Sequence, residues 1–162
     1  MEISLVPIRQ SPQDGERALA WALDLWGDHL PNYTRQDWSD FYANSSQSDY
    51  GTWKGDGQEL VYLAKRGTDL VATIGLVDFD DLEEFRHLSP WVAAFIVDPQ
   101  LRGQGIGGHV LTLLEEKAQS LGIELLHLWT EDQSAFYGKR GYRQLASSKF
   151  GDLNIEIMQK RL

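Results

Sequence analysis

The spacing of apolar positions changes several times along this chain, and each change marks a new element. Apolar residues alternate from Glu2 to Ile8, which predicts a first strand. Ser11 and Pro12 then supply an N-cap and a proline at the first helical position, and Ala18, Leu19, Ala22, Leu23, Leu25 and Trp26 follow with helical character. Gly27 and Pro31 end that helix. Trp38, Phe41 and Tyr42 share one face of a second, shorter helix predicted from Gln36 to about Ala43, and the Ser-, Asp- and Gly-rich stretch Asn44 to Gly57 reads as a loop. Strands are predicted at Glu59 to Lys65 and Leu70 to Val77 around the turn Gly67-Thr68-Asp69, and again at Trp91 to Val97. Ile106, Val110, Leu113, Leu114, Ala118 and Leu121 return at helical spacing. A strand at Leu125 to Trp129, a short helix at Ser134 to Lys139 and a hairpin of Arg143 to Ser147 with Asn154 to Gln159 complete the chain.

The join between the strand ending at Val97 and the helix beginning near Ile106 carries the strongest chemical signal. Four glycines, Gly103, Gly105, Gly107 and Gly108, lie in this strand-to-helix turn. Glycine lets the backbone come close to a ligand and turn its N–H groups toward it, and the helix N-terminus adds partial positive charge, so the segment is built to cradle an anion such as a pyrophosphate. A tight turn with no ligand would use the same residues. No Gly-Lys-Ser/Thr follows, which sets the segment apart from a P-loop, and the strand after the helix does not end in the acidic residue of a dinucleotide fold.

Two motifs resemble those of the GNAT superfamily of acetyl-CoA-dependent N-acetyltransferases. Arg102, Gly105 and Gly107, preceded by Val97-Asp98-Pro99, are similar to its Arg/Gln-x-x-Gly-x-Gly/Ala signature, and Ala135-Phe136-Tyr137-Gly138-Lys139-Arg140-Gly141-Tyr142 is similar to its A-x-x-FY segment. The resemblance implies an α/β fold with a central mixed sheet of about seven strands, flanking helices, and fourth and fifth strands that splay apart. It implies acetyl-CoA as cofactor, with its pantetheine arm paired to the backbone of Phe95, Ile96 and Val97. The pyrophosphate would then be held by Arg102, Gly103, Gln104, Gly105, Ile106, Gly107 and Gly108.

The same resemblance makes Tyr137 the candidate acid that protonates the leaving thiolate, although a packed aromatic on a short helix would have the same sequence. Many members carry a glutamate on the fourth strand as general base. Trp91 to Ile96 holds no acid, which leaves the base open, with Asp78, Asp80, Asp81, Glu83 and Glu84 before that strand and Glu131 after the fifth as nearby candidates, Asp78 and Glu131 best placed. Charged loops are more often solvated surface. Leu126 to Tyr137 is also similar to the corresponding segment of actin N-terminal acetyltransferases, which keeps a peptide N-terminus open as an acceptor.

Composition narrows the remaining choices. The 162 residues, 42% hydrophobic and 24% charged, suit one folded domain over 1–162. With no cysteine there is no disulfide, thiolate metal site or cysteine acyl-enzyme, and His29, His87, His109 and His127 lack metal-ligand spacing. A net charge of −9, from 15 basic and 24 acidic residues, disfavours nucleic acid as a partner. No apolar run reaches membrane-spanning length and no signal-peptide core is present, so a cytoplasmic protein with no membrane partner is expected, with a homodimer open. The leading expectation is acetyl transfer to a primary amine by direct attack, the five acids from Asp78 to Glu84 and Asp37, Asp40, Asp49 and Asp56 favouring a cationic small molecule. A peptide N-terminus or lysine is the alternative acceptor, and a noncatalytic acyl-CoA sensor the alternative from another class.

Overall fold

The computed structural model describes residues 2–162. Its strands are β1 (Ile3–Pro7), β2 (Glu59–Arg66), β3 (Asp69–Val77), β4 (Trp91–Val97), β5 (Leu125–Thr130), β6 (Arg143–Phe150) and β7 (Leu153–Arg161), and its helices α1 (Pro12–Trp26), α2 (Arg35–Ser45), α3 (Ile106–Ser120) and α4 (Ser134–Gly138). The strands form one seven-stranded sheet in the order β1-β2-β3-β4-β5-β7-β6. All neighbours are antiparallel except β4 and β5, which run parallel. This is the mixed sheet the motifs imply.

The period-two alternation of the central strands divides the core between the sheet's two faces. Leu60, Tyr62 and Ala64 of β2 point to the face covered by α3, where Val110, Leu111, Leu114 and Ala118 are buried. Val61 and Leu63 point to the other, where Ala18 and Ala22 of α1 and Trp38, Phe41 and Tyr42 of α2 pack. α3 buries most of the apolar stripe its sequence predicts, whereas Leu25, at the end of the predicted α1 stripe, is 44% exposed. α2 starts one turn-residue earlier than expected because Thr34 and Asp37 form a capping box, Thr34 Oγ1 accepting from Asp37 N and the Asp37 carboxylate accepting from Thr34 N.

Three expectations need adjustment. β1 stops at Pro7, and Ile8 opens a 3₁₀ turn. The loop after α2 is anchored by Tyr50, whose buried hydroxyl donates to backbone oxygen and accepts from Val61 N. The last hairpin is longer than its apolar pattern suggests, because β6 is an edge strand with one face in solvent: Leu145 is 43% exposed and most of its neighbours are polar.

The sheet is distorted where it matters for function. A register shift between Thr73 and Gly75 of β3 faces Ala94 of β4, a non-glycine residue at φ 50°, in the left-handed region. Such a conformation costs about 1 kcal/mol and persists only where packing enforces it. Gly75 permits the close approach, since a Cβ there would meet the Ala93 carbonyl oxygen at 3.0 Å. Beyond this bulge β4 leaves β5: the two strands pair only at Trp91 and His127.

Candidate active site

The gap between β4 and β5 opens into a cleft of ≈ 990 Å³ that runs from the N-terminus of α3 to the aromatic residues of α1 and α2. Because the strands separate after Trp91, the edge of Phe95, Ile96 and Val97 that faces β5 has no ladder partner among the described residues. Backbone donors and acceptors at such an edge can pair with an extended ligand carrying amides. The side chain of Ile96 itself is buried in the core, so its part in the cleft wall falls to its backbone.

At the far end of that edge, Asp98 caps the 3₁₀ turn Pro99–Leu101 by accepting from Gln100 N, and the chain then enters the glycine turn. Gly103 and Gly105 adopt φ 80° and 81°, and a Cβ on either would meet nothing within 4 Å, so the wall they form is open. Gly105 caps α3 without a side-chain hydrogen bond. The first N–H groups of the helix therefore lack intrahelical and capping partners, and with the dipole they fit a phosphate group. Arg102, Ile106, Gly107 and Gly108 line the same end, whereas Gln104 is exposed and outside the lining.

Arg140 is the main residue at this end that the sequence reading did not single out. Its guanidinium lies 3.8 Å from the centre of the Phe136 ring, and Nη1 donates to the Phe136 carbonyl at 2.8 Å. A Cβ on Gly108 would stand 2.7 Å from Arg140 Nη2, so the glycine makes room for a cation against the first turn of α3. Its signal was available: Arg140 lies inside the FY segment, one helix turn after Phe136. Two cations, Arg102 and Arg140, thus flank the cradle.

Tyr137 lines the middle of the cleft between Phe136 and Tyr142, with ring centroids at 5.0 and 5.7 Å. Burial pushes its phenol up to about 12, so it stays protonated as a hydrogen donor across the working pH range. Glu131 lies at the rim, its carboxylate 3.0 Å from Nε2 of His29, which ties the end of β5 to the segment after α1.

Asp78 falls outside the lining. It accepts from Ser89 Oγ at 2.5 Å and Gly57 N at 2.9 Å, and so fastens two loops. Glu83 pairs with Arg86 and Glu84 accepts from Ser148, while Asp37 and Asp40 serve α2 and Asp49 caps Gly51. Of the acidic run, only Asp80 and Asp81 reach the cleft, where Glu59 of β2 joins them. Burial raises all three carboxyls and neighbouring acids add to it: Glu59 reaches about 7 beside Asp81, Asp81 about 6 beside Asp37, and Asp80 lies well above the ordinary range beside Asp81 and Glu59. His127 is structural, its Nδ1–H donating to the Pro90 carbonyl at 3.1 Å while burial lowers its pKa. His87 is not in the lining. Among the described residues no group of three or more His, Asp or Glu could hold a metal ion, and no helix is long and apolar enough to cross a membrane.

Residues 23–142 match the acetyltransferase (GNAT) family, and the chain belongs to that family. Over 89 residues it is 34% identical to the aminoalkylphosphonate N-acetyltransferase of Salmonella typhimurium, a match that covers 51% of this chain and about half, 55%, of that relative. Among solved structures, an aminoglycoside 6'-N-acetyltransferase complexed with coenzyme A aligns over 99% of this chain and 97% of its own, with a TM-score of 0.71 and 16% identity. A GNAT family acetyltransferase from Elizabethkingia anophelis with acetyl-CoA bound aligns over 99% and 98%, with a TM-score of 0.63 and 16% identity. At these identities the structures share the fold.

Proposed function

We propose that this chain is an acetyl-CoA-dependent N-acetyltransferase that acetylates a primary amine of a cationic small molecule by direct attack. The observation that carries the reading is the single cleft joining the uncapped glycine turn, the unpaired edge of β4 and the buried Tyr137 hydroxyl. Acetyl-CoA supplies the activated acetyl group as a thioester. The N–H groups of Gly105 to Gly108, with Arg102 and Arg140, hold its phosphates, and the backbone of Phe95 to Val97 holds the pantetheine amides. A backbone N–H of β4 stabilises the oxyanion.

As the C–N bond forms and the C–S bond breaks, the nitrogen sheds one proton and the sulfur gains one. Tyr137 Oη holds the proton for the sulfur. Burial weakens this phenol as an acid, but the departing thiolate loses water in the same dry site and becomes more basic with it. Glu131 is the acid placed to receive the amine's proton through water, at a rim where the proton can pass to solvent.

The name of the Salmonella relative suggests a second acceptor class, an amine bearing a phosphonate. The acceptor end of this cleft argues against it, because Glu59, Asp80 and Asp81 line it while both arginines lie at the other end. Comparing an aminoalkylphosphonate, a cationic amine and a basic peptide, each with acetyl-CoA, by release of free CoA tests the choice. The cationic amine should react fastest. Faster turnover of the phosphonate or the peptide would overturn the acceptor assignment, and acetyl-CoA binding without turnover of any amine would make the protein a sensor.

A further inference from the structure

Tyr137 carries the proposed proton transfer to sulfur, yet the helix it stands on cannot hold it still unaided. α4 has five residues and no side-chain hydrogen bond at its N-cap, which is too short to be stable by itself. One of its outside supports is Tyr142. The Tyr142 N–H donates to the Tyr137 carbonyl at 3.2 Å, and the two rings meet edge-on with centroids 5.7 Å apart and planes at 71°. Tyr142 is 3% exposed and does not line the cleft. Whatever fixes its ring therefore fixes one side of Tyr137.

What fixes Tyr142 is a largely buried carboxylate. Its hydroxyl donates to Glu115 Oε2 at 2.9 Å, and Lys160 Nζ donates to both Glu115 oxygens at 3.0 Å. The side chains of Glu115 and Lys160 are only 12% and 24% exposed. Burial and the facing carboxylate push the Tyr142 phenol up, so its hydroxyl remains a donor. Three elements meet here: Glu115 comes from α3, Lys160 from β7 and Tyr142 from the loop between α4 and β6. Well-packed apolar side chains would hold three elements together about as firmly, because two nearly buried charges must first shed their water. A charged, directional contact adds something else: it favours one placement of the Tyr142 ring and penalises the rest. Neither Glu115 nor Lys160 lines the cleft, so neither meets the reactants.

We propose that Glu115 is a positioning residue for acetyl transfer, which holds the Tyr137 hydroxyl in place through Tyr142. This rests on the acetyl-transfer reading above, in which Tyr137 protonates the sulfur. One helix then serves both partners of that step, because the first turn of α3 forms the phosphate cradle and Glu115 stands further along the same helix. The placement of the acid relative to the cofactor is set by that rigid element and two contacts, Glu115 to Tyr142 and Tyr142 to Tyr137. A misplacement of about 1 Å near reacting atoms can cost on the order of 10²-fold in rate.

The test is a double-mutant cycle on kcat with Tyr137→Phe and Tyr142→Phe, the second of which removes a hydroxyl and keeps the ring. Tyr142→Phe alone should lower kcat by about tenfold while acetyl-CoA affinity, read by calorimetry, stays within about twofold. In the Tyr137→Phe background, where no hydroxyl is left to position, it should lower kcat by no more than about twofold. An equal fall in both backgrounds, or no fall in the first, would overturn the proposal. Glu115→Leu removes the acceptor and takes the place of Tyr142→Phe in the cycle if that variant does not fold. Glu115→Gln keeps an oxygen that accepts from the Tyr142 hydroxyl, so its kcat should stay within about threefold of wild type, and a fall as deep as that of Glu115→Leu would overturn the role given to the hydroxyl contact. Amide hydrogen exchange in the CoA-saturated protein separates this claim from the acetyl-transfer reading. Tyr142→Phe should quicken exchange of the Arg140 N–H, which donates to the Tyr137 carbonyl at 2.9 Å, by about tenfold, with the core amides of β3 unchanged. That result supports the link from Tyr142 to Tyr137 even if no amine is acetylated, and unchanged exchange at Arg140 overturns it even if Tyr137→Phe is slow.

Discussion

At the scale of single residues, the proposed function gives two side chains separate tasks in the cleft. Tyr137→Phe keeps the ring between Phe136 and Tyr142 and removes only the hydroxyl, so kcat should fall by roughly 10²-fold with little change in acetyl-CoA affinity. Steady-state kinetics and a cofactor titration check both halves, and wild-type turnover would leave Tyr137 as packing. Arg140→Ala removes a cation from the cradle without touching the reacting atoms. Its acetyl-CoA affinity should weaken by about tenfold, and desulfo or dephospho analogues of CoA should show which part of the ligand it meets.

Some of this was legible from sequence and some was not, for a physical reason. Glycine turn and FY segment are local: their residues act on one another within a few positions, so spacing alone reports them. The acidic end of the cleft is not local. Glu59, Asp80, Asp81, Tyr33 and Trp38 come from three separate segments, and each acid by itself reads as solvated surface. Asp78 seemed well placed because it follows β3 directly, but its first structural duty is to Ser89 and Gly57.

At the scale of elements, the proposed function rests on two neighbouring strands that fail to pair and on the turn that follows one of them. The bulge at Ala94 bends β4 away from β5, and the glycine turn delivers the chain into α3 with its first N–H groups uncapped. Gly105→Val places a β-branched side chain at φ 81°, where L residues are strained by about 1–2 kcal/mol, and fills the open wall of the cradle. Acetyl-CoA affinity should drop sharply while circular dichroism shows a folded protein with a lowered Tm. Unchanged affinity in a folded variant would remove the phosphate assignment from this turn. The succession of strands and helices along the chain was readable from the changes in apolar period, since the longer helices and central strands bury a regular stripe, whereas the mixed sheet was an implication of the family resemblance. Edge strand β6 was readable only as far as Ser147, because a strand with one face in water loses half its apolar signal.

Across the whole molecule, the raised carboxyls at the acidic end of the cleft link stability to pH. Glu59 and Asp81 are held at about 7 and about 6, above the ordinary carboxylate range, so the folded state binds more protons than the unfolded chain between about pH 4 and 7. Their contribution is fully present at pH 4 and is lost as pH rises through 7. Glu59→Gln, which removes one of these charges, should therefore stabilise the ligand-free protein by about 1 kcal/mol at pH 8 and change little near pH 4, as read from urea unfolding at both values. An equal effect at both pH values would mean that Glu59 ionises as a solvated surface group.

The claim that unites these scales is that one cleft binds acetyl-CoA at the glycine turn and acetylates an amine held at the acidic end. Mass spectrometry of an amine panel after incubation with the protein and acetyl-CoA near pH 8, with free CoA quantified in the same samples, addresses it directly. The account predicts an N-acetylated cationic amine formed in step with free CoA. Acetyl-CoA that binds and protects the fold, with no acetylated amine from any member of the panel, would contradict it.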